Sequence, residues 1–257
     1  MNKQLFMVVI AWATFPLANL TQADSLLGLY GGISSWEQSY DGTIQDLDIT
    51  GGGDEIDFNN DLGLDEEKGN VIYIALEHGV PVLPNVKVQN TEIETVATGN
   101  PSKTINYGGE TFDVSDTITT DADLSHTDVT MYYQVLDNWL SLDIGVTLRL
   151  FDGFINITSD LDGNAASEDF NALVPLLYAK ARFDLPLSGA YAGIHANALG
   201  DGDNMFVDFQ ATIGYESSLG AGVELGFRSL DLELDDIDDV AIDLTIEGAF
   251  IGVFFHL

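Results

Sequence analysis

The dominant pattern in the chain is alternation at period two. From Leu140 to Phe151 one face reads Leu140, Leu142, Ile144, Val146, Leu148 and Leu150; the other reads Ser141, Asp143, Gly145, Thr147, Arg149 and Phe151. A strand sends successive side chains to opposite faces, so this segment has one wholly apolar and one mostly polar face. Met205–Tyr215 repeats the arrangement, with Met205, Val207, Phe209, Ala211, Ile213 and Tyr215 set against Phe206, Asp208, Gln210, Thr212 and Gly214. Leu173–Leu185 and Ala221–Phe227 do the same, and helical spacing fits none of these segments as well.

Extended along the chain, the pattern predicts about ten strands, near 26–40, 70–80, 85–97, 124–136, 139–151, 170–185, 189–199, 204–216, 220–234 and 240–257. The connections alternate in character. Gly79–Asn85, Asp137-Asn138, Pro186–Gly189 and Ser217–Gly220 are short and rich in turn residues. Longer acidic connections are expected at 41–69, 98–123 and 152–169, with brief ones at 200–203 and 235–239. Short turns at one end and long loops at the other are the pattern of outer-membrane barrels, whose turns face the periplasm.

The competing architecture is a soluble β-barrel such as a lipocalin, which also alternates but turns its apolar face inward. Three features weigh against it. Charged residues (Asp143, Arg149, Asp208, Glu224, Arg228) stand mid-strand while the opposite faces carry almost no polar atoms. Trp139, Phe183 and Tyr215 lie near the short turns, where a membrane girdle would sit, and Tyr191 is there too on the polar face. The last strand alternates to the final residue, with Ala249, Ile251, Val253, Phe255 and Leu257 on one face. The fold expected is therefore all-β: a transmembrane antiparallel up-and-down β-barrel of about ten strands, with eight or twelve as the alternatives.

Composition narrows the setting. Met1-Asn2-Lys3-Gln4 carries one positive charge, an apolar stretch runs from Leu5 to Leu17, and small residues lead to Thr21-Gln22-Ala23. That is the form of a secretory signal peptide over 1–23, cut after Ala23, with the barrel over 24–257 and residence in the bacterial outer membrane. No later apolar run reaches the length of a spanning helix, so a membrane role requires a closed barrel. There is no cysteine, which removes disulfides, haem attachment and thiolate metal sites. The chain has 8 Lys+Arg against 42 Asp+Glu, a net charge of −34; without Lys3 the balance is 7 against 42, or −35. A field of that sign argues against nucleic acid. With 46% hydrophobic residues, nine Tyr and fourteen Phe, the acidity does not signify disorder.

Some of these residues resemble a known group. Gly28-Leu29-Tyr30-Gly31-Gly32 followed by Asp61-Leu62-Gly63-Leu64-Asp65-Glu66-Glu67 is similar to small outer-membrane barrel proteins of marine gammaproteobacteria. Leu76-Glu77-His78 with Pro81-Val82-Leu83-Pro84-Asn85-Val86 resembles the first periplasmic turn of one such family. The last strand resembles the insertion signal read by the barrel-assembly machinery, although those proteins usually end in Phe and this one ends His256-Leu257. The resemblance spans most of 24–257 and implies lipid, lipopolysaccharide and the assembly machinery as partners. Its motifs are structural, and it carries over no catalytic residue.

The candidate site is the barrel interior. Lys87, Arg149, Lys180, Arg182 and Arg228 lie in strands, and by parity the last four share the inward face with Asp128, Asp143, Asp208 and Glu224. Buried charges are tolerated only when paired, so these eight residues are expected to form a salt-bridged network across a largely plugged lumen. The alternative is that the same groups line a narrow pore for small solutes or ions. His126 and His195 share the polar faces, but Ser125 and His126 are adjacent and point opposite ways, so no hydrolase constellation forms and no enzyme is expected. Ten carboxylates in Asp41–Glu67 and six in Asp231–Asp239 suit weak, diffuse association with divalent cations. The calcium-loop-like start Asp160-Leu161-Asp162-Gly163-Asn164 fails, with Ala165 at position six and Asn171 at position twelve. No specific metal or cofactor is expected.

Overall fold

The computed structural model describes residues 27–47, 53–114, 116–161, 163–200, 204–237 and 240–257, so the segment 1–23, expected to be a signal peptide, lies outside the described residues. The strands in chain order are β1 (Leu27–Asp46), β2 (Ile56–Asp57), β3 (Glu67–His78), β4 (Asn85–Thr91), β5 (Glu94–Gly99), β6 (Ile105–Tyr107), β7 (Glu110–Phe112) and β8 (Ile118–Asp123). They continue as β9 (His126–Leu136), β10 (Leu140–Ser159), β11 (Ala165–Asp184), β12 (Ala190–Gly200), β13 (Met205–Glu216), β14 (Ala221–Ile237) and β15 (Val240–His256). Ten of them, β1, β3, β4 and β9 to β15, are the staves of an antiparallel barrel. It closes where β1 pairs with β15, Tyr30 opposite His256 through to Asp46 opposite Val240. Closure leaves no free edge within the lipid zone, as a bilayer demands.

The short turns fall where expected, and each has a local reason. At the β13–β14 turn Gly220 has φ +81, and a Cβ there would come within 2.0 Å of the His256 carbonyl oxygen. The outward face above these turns is an apolar belt: Ile33, Ile72, Ile144, Leu177, Ile213, Leu225 and Ile251 are all exposed. Trp139, Phe183 and Tyr215 are exposed near the turns, with Trp139 edge-on to Phe183 at 5.5 Å. Scattered exposed apolar residues need no explanation, but a contiguous belt around a closed barrel is a lipid-facing surface.

The loop end departs from the sequence reading. The connection expected at 152–169 is mostly strand, since β10 runs to Ser159 and β11 begins at Ala165, paired from Thr158–Ala165 onward. Likewise β1 runs to Asp46 rather than ending at 40, and much of the acidic stretch from Asp231 lies on β14, which runs to Ile237. The strand expected at 85–97 is interrupted after Thr91, and the connection expected at 98–123 holds a small hairpin, β6–β7, as well as β8. Above the interruption β5 pairs with β8, and β8 takes the place of β9 beside β10. The step is bridged by Leu124 N donating to the Ile93 carbonyl and Ile93 N donating to Ser125 Oγ.

The cause of these differences is an inversion of pattern. Beyond about Asp152 on β10 the outward residues are polar apart from Phe154, and the inward residues become the core: Ile157, Ile44, Leu230, Leu244 and Ile246 are buried together. Strand β2 and the segment between it and β3 fold in as well, adding Ile56, Phe58, Leu62 and Leu64. Asp61 pins it. Its Oδ1 accepts from both the backbone N and Oγ of Ser102, and its Oδ2 accepts from Asp57 N.

Candidate functional site

Between the lipid-facing half and this outer core lies a belt of buried charge. Four of the eight expected residues meet there, one each from β9, β10, β13 and β14. Arg149 grips Asp128 in a bidentate pair, Nε to Oδ1 at 2.7 Å and Nη2 to Oδ2 at 2.7 Å, and its Nη2 also donates to Asp208. Arg228 grips Asp208 from the other side, Nε to Oδ1 at 2.9 Å and Nη2 to Oδ2 at 2.7 Å, and its Nη1 donates to Thr91 on β4 at 3.3 Å. Arg149 is 0% exposed and Asp208 1%. Two cations and two anions make the cluster neutral, and bidentate geometry is what lets such pairs survive without water.

Neighbouring groups complete the belt. Thr147 donates to Asn197 at 2.7 Å and pairs with Thr130 at 2.8 Å, which ties β9, β10 and β12 together. On the core side, the Arg149 guanidinium lies 5.1 Å from the Phe206 ring centroid and that of Arg228 lies 4.6 Å from the Trp36 ring. The guanidiniums thus join a charged layer to an aromatic one by cation–π contact.

The other four expected residues lie nearer the turns, apart from the belt. Lys180 stands 3.7 Å from Asp143, and Arg182 pairs with Asp184 at 2.9 Å and Glu216 at 3.1 Å. Glu224 is held by the Tyr191 hydroxyl at 3.2 Å and forms no ion pair among the described residues. These groups surround a vestibule of about 340 Å³ that runs from below the belt to the turn rim at Asp137 and Asn138. Parity reasoning could have placed Lys87 here, since it shares the polar face of β4 with Gln89 and Thr91. The tyrosines Tyr73, Tyr132 and Tyr178 could not be singled out, because an inward tyrosine on one strand says nothing of which others it meets.

One cluster has the composition of a metal site. Donor atoms of His126, Asp128 and Asp208 lie within 4.8 Å of one another, all buried, and His126 Nε2 has no hydrogen-bond partner. The donors do not fit a cation, because both carboxylates are already bound to the Arg149 guanidinium. His195 lines the vestibule beside Tyr178, with ring centroids 6.2 Å apart.

No family model matches the sequence, and no curated protein matches it. Among solved structures, the fold is similar to the outer membrane protease OmpT from Escherichia coli at 8% identity, over 92% of this chain and 99% of that one, with a TM-score of 0.51. The CymD monoaromatic hydrocarbon channel is matched at 10% identity over 92% of this chain and 70% of that one, with a TM-score of 0.38. Ail, the attachment invasion locus protein of Yersinia pestis, is matched at 9% over 87% and 98%, with a TM-score of 0.34. The first likeness concerns fold, and with the apolar belt it defines the chain as a β-barrel of the outer-membrane type. At these identities the chemistry of those proteins does not transfer.

Proposed function

We propose that the chain is an integral outer-membrane protein with a structural or interaction role and a lumen closed to solutes. One observation carries the reading: a neutral belt of buried Arg–Asp pairs sits directly against a continuous apolar core that fills the outer half of the barrel. An ion crossing from the vestibule would have to break charge-paired hydrogen bonds and then enter a mainly apolar layer that offers it only a few neutral polar atoms, such as those of Gln38, Thr95 and Thr120. The resemblance to small barrels of marine gammaproteobacteria agrees with this role, with 1–23 removed on export and lipid, lipopolysaccharide and the assembly machinery as partners. The reading is not enzymatic, since His126 is buried above the vestibule, walled in by the Arg149 pairs and Phe151.

A narrow channel is the second reading, and the vestibule favours it by carrying polar side chains halfway through the barrel. Planar-bilayer recording on refolded protein separates the two. No unitary conductance is expected; sustained single-channel steps would overturn the closed-lumen reading.

A further inference from the structure

The vestibule holds unmatched groups of both signs at one place. Lys87 makes no hydrogen bond or ion pair among the described residues, and its ammonium lies 5.3 Å from the Tyr178 ring centroid. The belt carboxylates that act on it, Asp128 and Asp208, are bound to Arg149 and Arg228. On the acidic side, Asp143 is buried; its Oδ2 faces Lys180 at 3.7 Å while its Oδ1 has no hydrogen-bond partner. Glu77 accepts a hydrogen bond from the Tyr132 hydroxyl at 2.7 Å and forms no ion pair among the described residues. Glu77, Lys87, Asp143 and Lys180 all line the same vestibule. The rings of Tyr132 and Tyr178, 5.7 Å apart and tilted at 52°, line the same space.

We propose that this cavity binds a small zwitterion with an aromatic or large apolar body, entering from the periplasmic side. Its carboxylate would lie against Lys87 and Lys180, its ammonium against Glu77 and Asp143, and its body against the tyrosine rings. The vestibule is lined by six carboxylates (Glu77, Asp137, Asp143, Asp184, Glu216, Glu224) and three cations (Lys87, Lys180, Arg182), so a simple anion would meet an acidic wall and the field of a chain at −34, while a simple cation between Lys87 and Lys180 would meet two ammonium groups. A ligand carrying both charges answers both, and ordered aromatic side chains with a few fixed polar groups are what small-molecule sites use. The volume of about 340 Å³ is adequate for an aromatic amino acid.

Calorimetric titration of the refolded full-length barrel in detergent tests this, with phenylalanine, phenylpropionate (no ammonium) and phenethylamine (no carboxylate) at constant ionic strength. Saturable one-to-one binding of phenylalanine is expected, with each single-charge analogue weaker by roughly tenfold or more. Lys87→Met should weaken phenylalanine and leave phenethylamine unchanged or tighter, because one of the two ammonium groups is gone, while Lys103→Met should alter neither. Absence of saturable heat with all three probes, or equal affinity for all three, overturns the proposal. Should Lys87→Met not refold, the analogue series on the unaltered protein decides alone. The measurement is made in detergent and does not depend on conductance, so it stands or falls separately from the closed-lumen reading.

Discussion

Strand β10 carries two isoleucines in opposite situations. Ile144 points outward and is 52% exposed; Ile157, thirteen residues on, points inward and is 0% exposed. The same contrast holds around the barrel. In the turn-side half, apolar residues face out and charged or tyrosine side chains face in. In the loop-side half, acidic and hydroxyl residues face out while Ile44, Leu230, Leu244 and Ile246 face in. The upper half is therefore organised as a soluble barrel set on top of a membrane barrel. Lipid supplies the apolar surroundings below, so the lumen there can be polar; water surrounds the extension above, so its interior must be dry. The Arg149–Asp128–Asp208–Arg228 belt is the seam between the two regimes.

The comparison can be broken most sharply at the seam. Arg149→Ala would leave Asp128 without its cation and should destabilise the barrel by about 3–5 kcal/mol, as losing one partner of a buried pair does. Thermal or urea unfolding of the refolded variant measures it, and a negligible shift would mean the belt is wet. Next comes the outward face of β10. Ile144→Arg should cost about 2–4 kcal/mol for folding into lipid, since a cation there faces hydrocarbon. Thr158→Arg, also outward and exposed but on the extension, should change stability by less than about 0.5 kcal/mol. Equal penalties at the two positions would refute the division into halves.

A more modest loss than at Arg149 or Ile144 is expected at Asp61, which lies in the loop-side half. Burial alone pushes its carboxyl pKa up, and the hydrogen bonds from Ser102 and Asp57 outweigh that, so it titrates below the usual carboxylate range. A lowered folded-state pKa contributes stability that is full above the ordinary carboxylate value and is lost as pH falls through the lowered one. The segment around Asp61 should therefore stay protected from proteolysis at pH 5 and above, and open only at more acid pH. Asp61→Asn turns an acceptor into a donor facing other donors, and should weaken that anchorage by about 1–3 kcal/mol at neutral pH. Protection unchanged in this variant would show that the apolar contacts of Phe58, Leu62 and Leu64 hold the segment alone.

The barrel was legible from the chain wherever lipid did the selecting. Alternation in Leu140–Phe151 and Met205–Tyr215 marked the faces because an outward residue in a bilayer must be apolar, whatever its neighbours. Parity likewise pointed Asp128, Asp143, Arg149, Lys180, Arg182, Asp208, Glu224 and Arg228 inward, since side-chain direction on a strand is a local property. The same rule misled beyond Asp152. Strands continue there with polar residues outside, so the loss of an apolar outward face looked like the end of the strand when it marked the end of the membrane.

What local pattern does not contain is which inward groups meet. Arg149 and Arg228 come from strands that are not neighbours in the sheet, and they share Asp208 only because closure brings β10, β13 and β14 around one axis. Closure also separates Glu224 and Arg182 from that cluster and leaves Lys87 and Asp143 Oδ1 without strong partners in the vestibule. The sequence by itself determined the strand faces, the lipid-facing surface and the identity of the inward charges. Only the tertiary structure decided their pairing, the dry outer core and the vestibule, because each depends on distances across a lumen that period-two alternation cannot encode.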